Sequence, residues 1–155
     1  MCYSSAENSS SINALNKTNM KKTVFLVVFL MSFTSVLFSQ EAKYQLSSHI
    51  LDISTGKPAP DVKIALSKQE GNGSWTPVEE KTTDSNGRIK DFLKQGGKSN
   101  AGIYKLTYYV SPYFKKLGHK TFYPFIEVVF ELTDNEHYHV PITLSPFGYA
   151  TYRGN

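Results

Sequence analysis

The chain has 155 residues, 40% of them hydrophobic and 14% aromatic, and a net charge of +4. That length holds one domain with a core of its own, and the charge is mild and free of the Lys/Arg blocks that mark a nucleic-acid footprint. Ten Tyr and ten Phe favour pleated surfaces, while Cys2, the only cysteine, has no partner for an internal disulfide.

In chain order, residues 1–39 come first and read as a leader. Lys21-Lys22 precede an apolar run from Thr23 to Met31 and an exit through Ser39-Gln40, which is the charged, apolar and small-residue order of a secretory signal. A membrane anchor would need about 20 apolar residues. This run is shorter, and Ser32, Thr34 and Ser35 dilute the stretch after Met31. The expectation is cleavage near Ser39-Gln40, a periplasmic or secreted product, and no membrane attachment afterwards. Residues 1–19 are polar and rich in Ser and Asn ahead of Met20; translation from Met20 or a disordered leader accounts for them. Residues 40–155 keep 14 basic and 12 acidic residues, a net +2, too little for strong attraction to anionic surfaces.

The remainder reads as strands and turns. Tyr44 to Ile53 is a strand ended by Gly56, Pro58 and Pro60. Val62 to Leu66 alternates, with Val62, Ile64 and Leu66 on one face. Ser74 to Thr83 is a third strand. The Asp84-Ser85-Asn86-Gly87 turn delivers a fourth, Arg88 to Phe92. Gly102 to Val110 is a Tyr-rich strand. Ser111 to Gly118 predicts a short helix, with Ser111 as its cap, Pro112 in its first turn and Gly118 at its end. Phe122 to Leu132 and His137 to Leu144 are further strands about an Asp134-Asn135 turn. Seven to eight short strands with regular turns and one short helix predict an all-β, two-sheet sandwich over residues 40–155.

Three groups of residues bear chemistry. Alternation places His49 on the strand face shared with Leu51 and Ile53, where an isolated histidine is ordinarily structural. His137 and His139 point to one face; they are a metal pair, a general base with a neighbour, or a polar strand edge beside Pro141. Arg88, fixed at a strand start, suits a planar anionic or carbonyl-rich ligand, with a solvated turn cation as the plainer reading. Arg153 shares that ambiguity, and His119 reads as surface. No nucleophile elbow or Gly-rich phosphate loop is present, and residues 40–155 have no Cys, which excludes thiol catalysis. The tail stays dense in His, Tyr, Arg, Gly and Pro up to Asn155, unlike a frayed domain end.

Several motifs in order resemble the 5-hydroxyisourate hydrolases, the transthyretin-related family of urate breakdown. They are His49-Ile50-Leu51-Asp52 with Gly56-Lys57-Pro58-Ala59, Thr83-Asp84 with Gly87-Arg88, Phe122-Tyr123-Pro124, and His137-Tyr138-His139-Val140-Pro141 through Leu144-Ser145-Pro146 to Thr151-Tyr152-Arg153-Gly154. The resemblance covers about Tyr44 to Asn155. It implies a transthyretin-like sandwich assembled as a homotetramer, with sites along a channel between dimers. It further implies hydrolysis of 5-hydroxyisourate by His49, Arg88 and His139, substrate contacts from Tyr152, Arg153, Gly154 and Asn155, and neither metal nor cofactor. Asn155 stands where the family usually ends in Ser, and Ile142-Thr143-Leu144 where it is commonly all Leu. Two rival readings stand beside it: a transthyretin-like carrier of a small ligand, and a metal-binding protein built on His49, His137 and His139.

Overall fold

A computed structural model describes residues 43–154 apart from Gly97. The expected leader, its cleavage site and Asn155 lie outside the described residues. The order is β1 (Tyr44–Asp52), β2 (Lys57–Pro58), β3 (Lys63–Gln69), β4 (Trp75–Thr82), β5 (Arg88–Lys94), β6 (Gly102–Tyr108), α1 (Val110–Lys116), β7 (Ile126–Leu132), β8 (Tyr138–Ser145) and β9 (Gly148–Thr151). Two sheets pack face to face. In the first, β1 is central: β8 runs parallel on one side, β5 and β2 antiparallel on the other, and β9 extends the sheet beyond β8. The second is antiparallel in the order β4-β3-β6-β7.

The sandwich agrees with the expectation, but there are nine described strands rather than seven or eight. The two extra strands are short. β2 is a two-residue pairing inside the Gly/Pro turn, and β9 is a hairpin return within the tail; neither is long enough to carry an alternation signal. The helix also starts earlier than its sequence suggests. Tyr109 occupies the cap position with no side-chain cap bond, and the Ser111 amide instead donates to the Pro124 carbonyl at 3.4 Å. Burial decides the start: Val110 and Phe114, one turn apart, are both fully buried.

The core lies between the sheets, with Leu46, Ile50, Ile64, Leu66, Phe92, Leu106, Ile142 and Leu144 all at 0–1% exposure. Each such side chain contributes about 1.5–3 kcal/mol of transfer free energy. Tyr108 is buried among them, and its hydroxyl lies 3.0 Å from Ser48 Oγ; Ser48 donates in turn to the Val140 carbonyl at 2.9 Å. Burial pushes the Tyr108 phenol far above its ordinary pKa, so it stays neutral and tethers β6 to β1 and β8.

Candidate active site

The site is built on the face of the first sheet turned away from the core. Alternation along β1 buries Leu46, Ser48 and Ile50 and turns Ser47 and His49 to that face. The parallel register sets Ser47 beside His139 and His49 beside Pro141. The antiparallel register sets His49 opposite Arg88. Three chain segments more than 35 residues apart thus deliver His49, Arg88 and His139 to one patch, as their numbering requires.

The turn before β5 fixes Arg88. The Asp84 carboxylate accepts from the amides of Asn86 and Arg88, both at 2.8 Å. Gly87 adopts φ +69, and a Cβ there would lie 2.6 Å from the Ile50 carbonyl oxygen. Only glycine permits that approach, and the Gly87 carbonyl uses it to accept from the Ile50 amide at 2.9 Å. The Asp-Ser-Asn-Gly turn therefore locks β5 onto β1 and sets Arg88 against His49.

The rings of His49 and His139 stack with centroids 6.5 Å apart. Ser47 Oγ lies 2.8 Å from His139 Nδ1 and 2.9 Å from His137 Nε2. Ser47, His137 and His139 border a concavity of about 200 Å³ that Arg88 and Lys90 also line. Burial lowers the pKa of both His49 and His139, and the nearby Arg88 guanidinium lowers each further. Asp84 partly opposes this at His49, while His49 and His137 add to it at His139. Both imidazoles are therefore neutral near pH 7 and available as bases.

The tail divides. The Gly154 amide donates to the His139 carbonyl at 2.8 Å, and a Cβ on Gly154 would sit 2.6 Å from His139 Cδ2. Gly154 is thus pressed against the His139 ring. Pro141 has no amide to offer β9, so continuous pairing stops at Ile142–Thr151 and resumes in the same register at His139–Gly154. Between these points Tyr152 and Arg153 leave the ladder. The Arg153 guanidinium lies 4.7 Å from the Tyr138 ring centroid, and both residues line a second concavity of about 380 Å³ at the edges of β7 and β8. The described chain therefore gathers His49, Arg88, His139 and Gly154, and sets Tyr152 and Arg153 apart.

Ser47 and Lys90 belong to no sequence motif of the site. Their only signal is the same alternation that orients their neighbours, since each lies two residues from a named candidate, His49 and Arg88. His119 is exposed, as expected. Among the described residues, no group of three or more His, Cys, Asp or Glu is arranged to hold a metal.

A two-sheet sandwich carrying an imidazole–guanidinium cluster on one outer face defines the class. The chain belongs to the HIUase/Transthyretin family, whose family model matches residues 46–154. It is 44% identical over 111 residues to the 5-hydroxyisourate hydrolase of Salmonella dublin, covering 71% of this chain and 80% of that protein. The solved 5-hydroxyisourate hydrolase of Klebsiella pneumoniae matches with a TM-score of 0.60 at 35% identity, over 71% of this chain and 98% of that one. Sea bream transthyretin, solved in complex with thyroxine, matches with a TM-score of 0.66 at 30% identity, over 71% of this chain and 94% of that one.

Proposed function

We propose that this protein hydrolyses 5-hydroxyisourate to 2-oxo-4-hydroxy-4-carboxy-5-ureidoimidazoline in urate catabolism. The observation that carries the reading is a pair of imidazoles 6.5 Å apart, both held below the ordinary imidazole pKa, with a guanidinium set against them. A neutral imidazole takes a proton from water as the water oxygen attacks a ring carbonyl. The carbonyl electron pair moves onto oxygen, where Arg88 donates hydrogen bonds, a contribution of about 2.7–4 kcal/mol in comparable oxyanion sites. Collapse breaks the adjacent C–N bond, and the imidazolium returns its proton to the leaving nitrogen. The new carboxylic acid then loses a proton to solvent. Gly154 backs the His139 ring; Tyr152 and Arg153, set apart from that ring within one chain, and Asn155 would contribute to substrate binding only through the homotetramer that the family implies.

The test is the ultraviolet absorbance of freshly generated 5-hydroxyisourate, which should decay faster with the protein than without it, and equally fast with a chelator present. The likeness to transthyretin favours a second reading, a carrier that holds a small ligand without reacting. Binding with decay at the spontaneous rate would establish that reading instead. Light scattering on the purified protein should give a tetramer mass; a monomer would remove the assembly. Export to the periplasm or medium rests on the Lys21-Lys22 and Thr23–Met31 pattern. Mass spectrometry of the exported fraction should find a chain beginning near Gln40, and an uncleaved cytosolic chain would contradict it.

A further inference from the structure

We propose that the Tyr44 carbonyl, His137 and Ser47 form a hydrogen-bond relay that holds His139 in its Nδ1-protonated tautomer and leaves Nε2 as the lone pair that accepts the proton from water. With His137 neutral, the tautomer follows from donor and acceptor counting; the role of Nε2 rests on the hydrolytic reading above.

The relay begins at a group with no choice. His137 Nδ1 lies 3.1 Å from the Tyr44 carbonyl oxygen. A carbonyl only accepts, so Nδ1 must carry the hydrogen. In neutral His137 the other nitrogen, Nε2, is then a bare acceptor. Its neighbour at 2.9 Å is Ser47 Oγ, so the Ser47 hydroxyl donates to it. A hydroxyl has one hydrogen, and this one is now used. Ser47 Oγ can only accept from its second partner, His139 Nδ1, at 2.8 Å. His139 Nδ1 therefore carries the hydrogen and its Nε2 does not. Each link fixes the next, in the way that the partner of one ring nitrogen sets the state of the other.

The ring is also held in place. Ser47 bonds its Nδ1 edge, and Gly154 packs against Cδ2 on the opposite edge. Among the described residues Nε2 of His139 has no hydrogen-bond partner, and the His49 ring stacks beside it. Ser47 is 9% exposed, so bulk water competes little for its single hydrogen. Ser47 and His137 are positioning residues here, acting through His139.

The experiment is long-range proton–nitrogen correlation of the imidazole nitrogens in the full-length protein, run beside kcat and KM. Wild type should show His139 protonated at Nδ1 and bare at Nε2. Ser47→Ala should give mixed tautomers and a kcat lower on the order of tenfold, a fraction of what a general base contributes, with KM little changed. Ser47→Thr keeps the hydroxyl and should restore both readouts. His137→Phe is the sharper variant, because it frees the Ser47 hydroxyl to donate to His139 Nδ1. The ring should then switch to the Nε2-protonated form, and kcat should fall further than in Ser47→Ala. A residue that merely supports the fold would not switch a tautomer. Wild-type enzyme that turns over substrate with His139 protonated at Nε2 overturns the relay, as does a Ser47→Ala variant unchanged in spectrum and kcat. An inactive wild type that still shows the Nδ1 form overturns the hydrolytic reading and supports the relay's tautomer.

Discussion

On the outer face of the second sheet, cations meet carboxylates: Lys63 lies 3.0 Å from Glu80 and Lys105 lies 2.8 Å from Glu127. On the outer face of the first sheet, Arg88 and Lys90 stand beside three histidines, and among the described residues neither cation takes part in an ion pair. The two faces share strand geometry and differ in what the cations do. Paired surface charges contribute about 0–1 kcal/mol each and are screened by salt. An unpaired cation keeps its field: Arg88 adds to the lowering that burial imposes on the His49 and His139 pKa values. The difference supports the proposal that chemistry belongs to one sheet and scaffolding to the other.

The contrast can be broken most severely at Arg88. Arg88→Gln should lower kcat/KM about 100- to 1,000-fold, the usual cost of an oxyanion donor, while the melting temperature hardly moves because the side chain is exposed. A variant with near-normal turnover would show that the guanidinium is not needed. Gly154→Ala comes next. Its Cβ would be 2.6 Å from His139 Cδ2, so the ring must shift, and a displaced base should cost on the order of 10- to 100-fold in kcat. Steady-state kinetics with normal kcat would separate the tail from the site.

The pH profile sharpens the same comparison. The proposed mechanism needs neutral imidazole, and both His49 and His139 have lowered pKa values. The rate should therefore hold as pH drops to about 6.5, the ordinary imidazole value, and fail only below it. Arg88 contributes to lowering both groups, so the residual activity of Arg88→Gln should fail at higher pH than wild type. An unmoved acid limb in kcat/KM would mean that other groups set it. The smallest effect belongs to the second sheet. Lys105→Ala should leave kcat/KM unchanged and reduce stability by no more than about 1 kcal/mol, read from urea melts. A large loss of rate there would erase the distinction between the faces.

The sandwich was largely legible because its strands alternate and its turns carry Gly, Pro, Asp and Asn at the positions that need them. β2 and β9 escaped because a two-residue pairing and a hairpin return carry no period. The start of α1 escaped because core packing of Val110 and Phe114 outweighed the preference of Ser111 for a cap. In the site, His49, Arg88 and His139 were legible through motif order. Ser47 and Lys90 were not, since a strand Ser and a strand Lys have no chemical signature until a neighbour makes one.

The sequence alone determined which residues share a face, through the two-residue period of a strand, and that a tight Asp-Ser-Asn-Gly turn would present Arg88. Only the tertiary structure decided which strands adjoin. β1 and β8 are parallel neighbours whose paired residues are 92 apart in the chain, and no local pattern encodes a register over that distance. Register set Ser47 between His137 and His139, and sheet closure lowered two imidazole pKa values by burying them and bringing them under one guanidinium. Fields and hydrogen bonds act over a few ångströms, so these properties exist only once the sheet has closed.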